Sequence, residues 1–339
     1  MEIHTNISLK KYTTMGLGGP ARFLAEARTP DDVAQLYKNA LTQNIPVFVL
    51  GGGSNVIVGD SGFAGLVIRI RIPGFEIIND DINTTTIKIG AVENWDDVVK
   101  RTVDMRLSGI EAMSGIPGTV GGTPITNVGA YGQEIADTLQ SLEAFDMTTQ
   151  THVTLTNEQC GFSYRHSAFR GEFKGRFIIT SVTLRFSKNS PIPPFYDSLQ
   201  AYLDEHLLTG YTQQVIRDAV LAIRANKLPD PTLKPNAGSF FKNAIIENWQ
   251  LGDLRAQYAD MPVFDMGDDH SKIPAGWLIE KTGLKGQLLH GIRVHEGNAL
   301  VLVNESAANY TDLAAAREEI QGKVRDTFRI QLEQEPLEI

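Results

Sequence analysis

The stretch that most constrains the fold of this 339-residue chain is SGIPGTVGGTPITNVGAYG, residues 114–132. It contains six glycines and two prolines among small polar residues in 19 positions. Because glycine and proline weaken helix and strand interiors, such a segment makes a poor core. It also makes a poor disordered linker. It would form a good wall beside a large flat cofactor.

A second glycine-rich loop, LGGGSNVIVGD (50–60), follows the apolar strand signal VFVL (47–50). Its glycines leave consecutive backbone N–H groups open to a diphosphate, because no Cβ prevents close approach. The loop lacks the lysine of a P-loop, which disfavours nucleotide hydrolysis. On its own it fits a tight turn as well as a ligand site. Together the two loops predict a dinucleotide held between two subdomains rather than on a Rossmann helix.

A third glycine motif, GLGGPA (16–21), matches the sequence of the dinucleotide fingerprint G-x-G-x-x-A but lacks its strand and helix context. No buried strand precedes it, and Pro20 followed by Ala-Arg-Phe-Leu does not open a helix where the fingerprint requires one. We therefore interpret this motif as a structural turn.

The composition excludes several classes of protein. A length of 339 residues predicts two or three domains, and a net charge of −9 argues against sequence-independent nucleic-acid binding. The longest apolar runs have the length of strands, so no membrane-spanning helix is expected.

With Cys160 as its one cysteine, the chain has no internal disulfide, and we expect a structural thiol. The N-terminus lacks the apolar core of a secretory signal, so a cytoplasmic protein is predicted. No metal site is predicted.

Periodicity predicts an amphipathic helix over 29–41 that begins at Pro30. Its apolar face is formed by Val33, Leu36, Tyr37, Ala40 and Leu41. Strands are predicted at 47–50 and 66–70. Helix and strands together are typical of an α/β region.

Further along, strands are predicted at TIKIG (86–90) and RFIITSVTLRF (176–186), with a helix beginning near Asn94. A helix over 212–227 follows, with Val215, Ala219, Val220 and Ile223 facing inward.

The three prolines of KLPDPTLKPNAG (227–238) indicate a linker into a third unit. That unit has a helix at 277–283, a strand ALVLV at 299–303 and a helix over 311–328 with Leu313, Ile320, Val324 and Phe328 on one face. A final strand, IQLEQE (330–335), is predicted to return to an earlier sheet.

Ser239 lies in KPNAGSFFKN (234–243), after a glycine and before two phenylalanines. A polar group in apolar surroundings needs a hydrogen-bonding partner or a chemical role. Local sequence favours a cap or turn serine, and a proton donor is the alternative. A nucleophile is disfavoured, because there is no G-x-S-x-G and no base partner.

Six motifs, taken in order, resemble those of the UDP-N-acetylenolpyruvoylglucosamine reductases and span nearly the whole chain. They are GGP (18–20), GGGSNV (51–56), IPGTVGG (116–122), NVGAYG (127–132), FSYRHSAF (162–169) and NAGSFFKN (236–243). Each is weak alone, but six in family order are difficult to obtain by chance.

The resemblance implies an α+β fold, with two α/β subdomains of the PCMH-type FAD-binding fold and a C-terminal α/β substrate-binding domain. The expected bounds are 1–70 and 71–226 for the FAD-binding subdomains and 227–328 for the substrate-binding domain. A terminal strand within 329–339 is expected to complete the first subdomain.

The resemblance also implies an activity. The family uses NADPH and FAD to reduce UDP-N-acetylglucosamine enolpyruvate to UDP-N-acetylmuramate for peptidoglycan. Non-covalent FAD is expected, because Cys160 lies outside the glycine loops and His166 belongs to the substrate motif. No nucleic acid, membrane or obligatory protein partner is expected. Two alternatives stay open: an FAD-dependent oxidase of the same broad fold acting on another substrate, and a nucleotide-sugar-binding regulatory protein without chemistry.

By resemblance, Ser239 donates the proton, while Arg165 and Glu335 polarise the substrate or stabilise the intermediate. The family usually has E-V-R at the C-terminal end, whereas Pro336 and Leu337 follow Glu335 here. Glu333 and Glu338 are competing carboxylates.

The same resemblance implies two sets of binding residues. The cofactor set is Gly51, Gly52, Gly53, Ser54, Asn55, Ile116, Pro117, Gly118, Gly121, Gly122, Asn127, Gly129, Ala130 and Tyr131. The substrate set is Tyr164, Tyr196, Lys227, Asn243 and Asn298, with Lys285 offsetting the acidity of the chain nearby. Tyr196 stands in FYD, where the family commonly has T-Y-G on a mobile loop, and Asn298 replaces the glutamine of some members. Trp277 and His295 are interpreted as structural.

Overall fold

The computed structural model describes residues 1–339, which form two compact units. Unit 1 comprises residues 1–7, 21–52 and 64–225, and unit 2 comprises residues 8–20, 53–63 and 226–339. Elements are numbered in chain order over the whole sequence, and a few of them extend by one or two residues across these bounds.

Unit 1 contains two large sheets and five helices. Its strands are β1 (Ile3–Ser8), β2 (Pro20–Ala27), β3 (Val47–Leu50), β5 (Phe63–Ile70), β6 (Phe75–Asp80), β7 (Thr84–Gly90), β8 (Gly129–Ala130), β9 (Gln133–Glu134), β10 (Leu139–Asp146), β11 (Thr151–Thr156) and β12 (Phe177–Ser187). Its helices are α1 (Pro30–Thr42), α2 (Trp95–Asp104), α3 (Ile135–Thr138), α4 (Asp197–Glu205) and α5 (Gln213–Lys227). One sheet has the order β1-β2-β5-β3, the other is antiparallel with the order β11-β10-β12-β7-β6, and β8 and β9 form a short hairpin.

Unit 2 contains three smaller sheets and three helices. Its strands are β4 (Val56–Ile57), β13 (Asn236–Ser239), β14 (Ala244–Glu247), β15 (Phe264–Gly267), β16 (His270–Ile273), β17 (Leu288–Leu289), β18 (Ile292–Val294), β19 (Val301–Asn304) and β20 (Leu337–Glu338). Its helices are α6 (Leu251–Gln257), α7 (Ala275–Lys281) and α8 (Tyr310–Phe328). The sheets have the orders β13-β19-β18-β17, β14-β16-β15 and β20-β4.

The helices predicted from periodicity are confirmed, because capping residues stand where the apolar patterns begin. Thr29 and Asp32 form a capping box at the start of α1, and the Asn94 side chain caps α2 by accepting from the N–H of Asp97. The predicted apolar faces of α1 and α8 are buried, except that Tyr37 is half-buried and Leu41 is exposed. Leu41 is 48% exposed because it lies in the last turn of α1.

The strands predicted at 47–50 and 66–70 pair in parallel as β3 and β5, and those at 86–90 and 176–186 pair antiparallel as β7 and β12. The motif GLGGPA begins where a turn closed by the N–H of Gly16 and the carbonyl of Thr13 ends, and it runs directly into β2, a strand rather than a helix. These observations confirm the α+β class and the rejection of a Rossmann fingerprint.

Two strand predictions need correction. The strand predicted over 299–303 begins only at Val301, because the Asn298 side chain accepts from the N–H of Leu300 (3.0 Å) and holds a turn there. The strand predicted over 330–335 is wrong in position. Ile330 and Leu332 are buried in alternation as a strand would be, but Gln334 forms only an isolated bridge to Phe241.

The strand that does return to an early segment is β20, which pairs in parallel with β4 within unit 2. Cys160 is buried, and burial raises the pKa of its thiol to about 11, as expected of a structural cysteine. None of the helices combines the length and the apolar composition that a bilayer-spanning helix needs.

Candidate active site

The two glycine-rich loops meet within unit 1. A Cβ added to Gly52 would lie 3.1 Å from the Cα of Gly118, and one added to Gly51 would lie 2.9 Å from the Oγ1 of Thr119. Glycine at position 52 therefore permits an approach of two backbones that a side chain would block. The N–H groups of Gly51 and Gly52 donate to no acceptor within the chain. The adjacent loops thus present backbone donors that the fold itself does not use.

The start of the long glycine segment is held by helices α2 and α5. Asp96, in the first turn of α2, accepts from the N–H of Gly115 (2.6 Å) and from both terminal nitrogens of Arg217 (2.6 and 2.8 Å). Arg217 also donates to the hydroxyl of Ser114 (3.0 Å). Burial, the largest single effect, would raise the pKa of Asp96, but the hydrogen bonds from Arg217 and Gly115 and the charges of Arg217 and Arg224 together lower it. The start of the segment is therefore fixed by a charged pair.

The end of the glycine segment is a tight hairpin. Gly129–Ala130 pairs with Gln133–Glu134, and both turn residues have positive φ, +49° at Tyr131 and +86° at Gly132. The ring of Tyr131 meets the ring of Tyr196 edge to face, with centroids 6.3 Å apart. Burial raises the pKa of the Tyr131 hydroxyl.

Asn127 connects this segment to the next motif. Its buried side-chain amide donates to the carbonyl of Ser163 (3.1 Å) and accepts from the N–H of Ala136 (3.2 Å). The hydroxyl of Ser167 donates to the carbonyl of Ile125 (2.7 Å). The motifs at 127–132 and 162–169 therefore form one local structure, a relation that sequence reasoning did not predict.

Arg165 occupies the tip of a two-residue turn in that structure. Ser163 and His166 exchange backbone hydrogen bonds (3.1 and 3.0 Å), and Arg165 has a φ of +53°. Both residues of the tip, Tyr164 and Arg165, are exposed, while Ser167 behind them is fully buried. An exposed guanidinium on an anchored turn is suited to bind a carboxylate with two hydrogen bonds.

The glycine loop continues into unit 2 at residues 53–55. Gly53 is buried with a φ of +66°, and an added Cβ would overlap the carbonyl of Tyr12, so only glycine fits. Its carbonyl accepts from the N–H of Thr14 (3.1 Å), and the carbonyl of Asn55 accepts from the N–H of Leu337 (3.0 Å). This half of the loop is thereby held between the N-terminal segment and the C-terminal strand.

Ser239 is the last residue of β13, half-buried, and pairs with Val301 on β19. No helix starts at this serine, so the alternative of a helix N-cap is wrong. Both backbone groups of the next residue, Phe240, form hydrogen bonds. Its N–H donates to Leu300 (2.7 Å), and its carbonyl accepts from Glu335 (3.0 Å).

The three glutamates of the C-terminal segment have different surroundings. Glu333 pairs with Lys242 (2.9 Å), and Glu338 pairs with Arg317 (2.5 Å) and bonds the hydroxyl of Tyr310. Glu335 is the one whose backbone is bonded beside Ser239. Within unit 2, the backbone of Glu335 is therefore bonded to the residue that follows Ser239, and the two competing carboxylates are in ion pairs.

Two of the proposed substrate residues border the start of α7. The side-chain oxygen of Asn243 accepts from the N–H of Ala275 (3.1 Å). The side-chain oxygen of Asn298 lies 3.7 Å from where a Cβ on Gly276 would be. Each amide oxygen already accepts one backbone hydrogen bond, and the amide nitrogens can donate to a ligand.

The remaining predicted substrate residues are exposed. Tyr196 precedes α4 and is 55% exposed, and Lys227 is the exposed last residue of α5. His295 accepts from the N–H of Gly297 (3.2 Å), and burial together with nearby Lys234 lowers the pKa of its ring. This arrangement is consistent with a structural histidine.

Comparisons with known proteins decide the family. Residues 21–155 match an FAD binding domain, and residues 230–339 match the C-terminal domain of UDP-N-acetylenolpyruvoylglucosamine reductase. The reductase of Flavobacterium johnsoniae is 39% identical over 336 residues, covering 99% of both chains, and that of Pseudomonas aeruginosa is 37% identical over 336 residues, covering 99% of this chain and 98% of its own.

The chain belongs to the UDP-N-acetylenolpyruvoylglucosamine reductase family.

A solved structure supports the same fold for this reductase. The UDP-N-acetylenolpyruvylglucosamine reductase of Thermus caldophilus aligns with a TM-score of 0.67 at 25% identity, over 98% of this chain and 97% of that one. The predicted PCMH-type FAD-binding fold with a C-terminal family domain is confirmed. Because residues 230–339 carry the domain of the family, an FAD-dependent oxidase acting on another substrate is not favoured.

The residues of the reductase fit FAD. Side chains at Gly51 and Gly52 would collide with the loop at Gly118 and Thr119, and the N–H groups of both glycines have no acceptor in the chain. Backbone donors of this kind suit a diphosphate. Sequence reasoning missed Asp96, Arg217 and Arg224, which hold the glycine segment. The one local signal was the position of Asp96 in the first turn of a helix, where an acidic residue is ordinary.

Proposed function

We propose that this chain reduces UDP-N-acetylglucosamine enolpyruvate to UDP-N-acetylmuramate, with NADPH as the source of hydride and FAD as the bound carrier. The product serves peptidoglycan precursor synthesis, and we place the reaction in the cytoplasm. Family membership supports the activity. The observation that supports the assignment of residues is the backbone hydrogen bond from Glu335 to Phe240, the residue that follows Ser239.

When bound, FAD would supply hydride transfer between NADPH and the substrate. We propose that it is bound without a covalent link and is held by the two glycine loops. Backbone donors dominate this set, since the side chain of Asn127 is used within the protein. The proposed residues are Gly51, Gly52, Gly53, Ser54, Asn55, Ile116, Pro117, Gly118, Gly121, Gly122, Asn127, Gly129, Ala130 and Tyr131.

Ser239 is the proposed proton donor. When hydride adds to the terminal carbon of the enolpyruvyl group, the electron pair of the double bond moves toward the carboxylate, giving an enolate. The adjacent carbon then takes a proton, and an enolate is basic enough to take it from a hydroxyl. A half-buried serine at the end of a strand can hold that hydroxyl at a fixed position.

Arg165 and Glu335 act on the charge that develops during this step. The Arg165 guanidinium, on its anchored turn, is proposed to bind the carboxylate of the substrate and stabilise the enolate. Glu335, bonded beside Ser239, is proposed to polarise the substrate at the carbon that receives the proton. We assign the diphosphate and sugar to Tyr164, Tyr196, Lys227, Asn243 and Asn298.

We further propose a functional division of the chain. Residues 1–70 and 71–226 would be the two FAD-binding subdomains, with 329–339 completing the first, and 227–328 would bind the substrate.

The absorption spectrum of the purified full chain tests the activity. A flavin spectrum should bleach on addition of NADPH and return on addition of the enolpyruvyl substrate. A colourless protein would contradict the proposal and favour a binding protein without chemistry. A flavin that returns with oxygen but not with the enolpyruvyl substrate would favour an oxidase.

A further inference from the structure

The segment that carries Glu335 has a gap in its backbone hydrogen bonds directly after the glutamate. The N–H of Glu335 donates to the carbonyl of Phe240 (3.0 Å), and the N–H of Leu337 donates to the carbonyl of Asn55 (3.0 Å). Pro336, which lies between them, has no N–H to donate. Any further anchoring at this point therefore comes from side chains.

Arg317 on helix α8 provides that anchoring. Its guanidinium donates to the side-chain oxygen of Gln334 (2.8 Å) and to the carboxylate of Glu338 (2.5 Å). The side-chain nitrogen of Gln334 in turn donates to the carbonyl of Pro336 (2.9 Å). One cation thus binds the segment both before and after Glu335, and neither flank of the glutamate is free to shift relative to α8.

The pair Arg317–Glu338 is stronger than an isolated surface ion pair. The side chain of Arg317 is only 19% exposed, and the hydroxyl of Tyr310 donates to Glu338 and accepts from Arg317 (3.3 Å). Burial would raise the pKa of Glu338, but the hydrogen bonds from Tyr310 and Arg317 and the charge of Arg317 together lower it. The carboxylate is therefore ionised at neutral pH, and the charge-assisted hydrogen bonds hold it in one geometry.

Helix α8 is itself fixed within unit 2. At its start, Asp60 accepts from the N–H groups of Tyr310 (2.7 Å) and Thr311 (3.0 Å). One face of the helix is buried in the core of the unit through Leu313, Ala316, Ile320, Val324 and Phe328. Arg317 is therefore attached to a rigid element, as a group that sets the position of another must be.

We propose that Arg317 is a positioning residue, which holds both flanks of Glu335 against α8 and thereby fixes the Glu335 carboxylate for the protonation step. This inference rests on the proposed catalytic role of Glu335. Groups that act on a reacting centre have to be held within about 0.5 Å of the productive geometry. A shift of Glu335 should therefore slow protonation of the substrate and leave the reduction of FAD by NADPH unchanged. A purely structural arginine would not select one half-reaction.

A double-mutant cycle on the FAD-loaded full chain, followed by rapid-mixing absorbance, tests the proposal. Arg317→Met should slow reoxidation by the enolpyruvyl substrate by about 10- to 100-fold, whereas reduction by NADPH should stay near the wild-type rate. The KM for the enolpyruvyl substrate should change less than about threefold, because the positioned group acts in the transition state. In the Glu335→Gln background the same substitution should slow reoxidation by less than about threefold, since the group that it positions is already altered.

Arg325→Met is the matched control. Arg325 lies on the same helix with its side chain 58% exposed, and its substitution should leave both half-reactions unchanged. Urea unfolding of each variant separates a loss of stability from a loss of rate. If Arg317→Met does not fold, Glu338→Gln takes its place, because Glu338 is 40% exposed. It should slow reoxidation by at least about threefold when Glu335 is present and leave it unchanged in Glu335→Gln.

Other outcomes overturn the proposal. Equal slowing by Arg317→Met with and without Glu335, or equal slowing of both half-reactions, would assign Arg317 to the stability of the fold. A raised KM with a normal rate would assign it to the substrate. Normal reoxidation in Arg317→Met, or in Glu338→Gln where that variant replaces it, would exclude positioning while leaving the role of Glu335 intact. Normal reoxidation in Glu335→Gln would instead contradict the proposed role of Glu335, and a wild-type chain that the enolpyruvyl substrate does not reoxidise would contradict the proposed function itself.

Discussion

The backbone N–H of Glu335 donates to the carbonyl of Phe240 at 3.0 Å, which fixes Glu335 beside the residue that follows Ser239. The link joins residues nearly one hundred positions apart in sequence. The two competing carboxylates, Glu333 and Glu338, are held in ion pairs with Lys242 and Arg317.

Glu335→Gln should slow FAD reoxidation by the enolpyruvyl substrate by roughly 10²-fold, because a group that acts on the reacting centre is altered while its size is kept. Reduction by NADPH should proceed at a near-normal rate. Rapid-mixing absorbance at the flavin band follows each half-reaction separately. Glu333→Gln is the matched control, since it removes only a surface ion pair worth about 0–1 kcal/mol. Equal rates of FAD reoxidation in Glu335→Gln and Glu333→Gln would exclude a catalytic role for Glu335.

Tyr196→Phe should raise the KM for the enolpyruvyl substrate by about 10- to 100-fold, because a hydrogen bond to a charged diphosphate contributes about 1.5–3 kcal/mol. The ring contact with Tyr131 persists in phenylalanine, so the local structure should be retained. FAD reduction by NADPH should not change. Tyr202→Phe, whose ring stacks on His206 in α4, serves as the control. An unaltered KM in Tyr196→Phe would show that Tyr196 does not bind the diphosphate.

FAD should leave the chain when the protein is denatured. The glycine loops contain no histidine or cysteine, and Cys160 is buried with its thiol pKa raised to about 11, so few thiolates form at neutral pH. Acid precipitation followed by absorbance of the supernatant and the pellet measures the partition. Yellow colour that stays with the precipitated chain would indicate a covalent bond.

Local patterns predicted the helices and most strands, because caps and apolar periodicity act over a few residues. The chain folds α1, α2 and α8 where Thr29, Asn94 and Asn309 cap them. The final strand was misplaced, since the alternating burial of Ile330 and Leu332 arises from packing without a continuous ladder. Contacts between distant segments were not predictable. The pair Arg217–Asp96 joins residues 121 positions apart, and nothing local to either side chain marks the other.

Asp96→Asn should lower the free energy of unfolding by about 1.5–3 kcal/mol at pH 7, because it leaves the buried Arg217 without its carboxylate. The pKa of Asp96 is lowered in the folded state, so its contribution is present above its ordinary pKa of 3.8 and is lost as the pH falls below that value. The difference in free energy of unfolding between wild type and Asp96→Asn should therefore become smaller at acid pH. Urea unfolding at several pH values measures it.

Asp104→Asn on the same helix is the control for Asp96, since its partner Lys100 and Asp104 itself are 60% and 54% exposed. It should cost at most about 0.5 kcal/mol at any pH. Equal losses in the two variants would mean that the Asp96–Arg217 pair does not hold the glycine segment.

Ser239→Ala should separate the two half-reactions. It removes the hydroxyl without adding bulk at the end of β13, so folding and FAD binding should be preserved. FAD reduction by NADPH should proceed near the normal rate, whereas reoxidation by the enolpyruvyl substrate should slow by roughly 10²–10⁴-fold, the usual contribution of a positioned general acid. Rapid mixing at the flavin band measures both rates.

A turn serine would behave differently, because losing its hydroxyl would cost about 1 kcal/mol of stability and leave both rates nearly unchanged. Ser239→Thr provides the positive control. It retains a hydroxyl, and a β-branched side chain is well accommodated in a strand, so reoxidation should recover by at least tenfold relative to alanine. If FAD in the Ser239→Ala variant is reoxidised at a near-normal rate, the proton comes from another group. If Ser239→Ala slows both half-reactions equally, Ser239 acts on the fold of the site rather than on proton transfer.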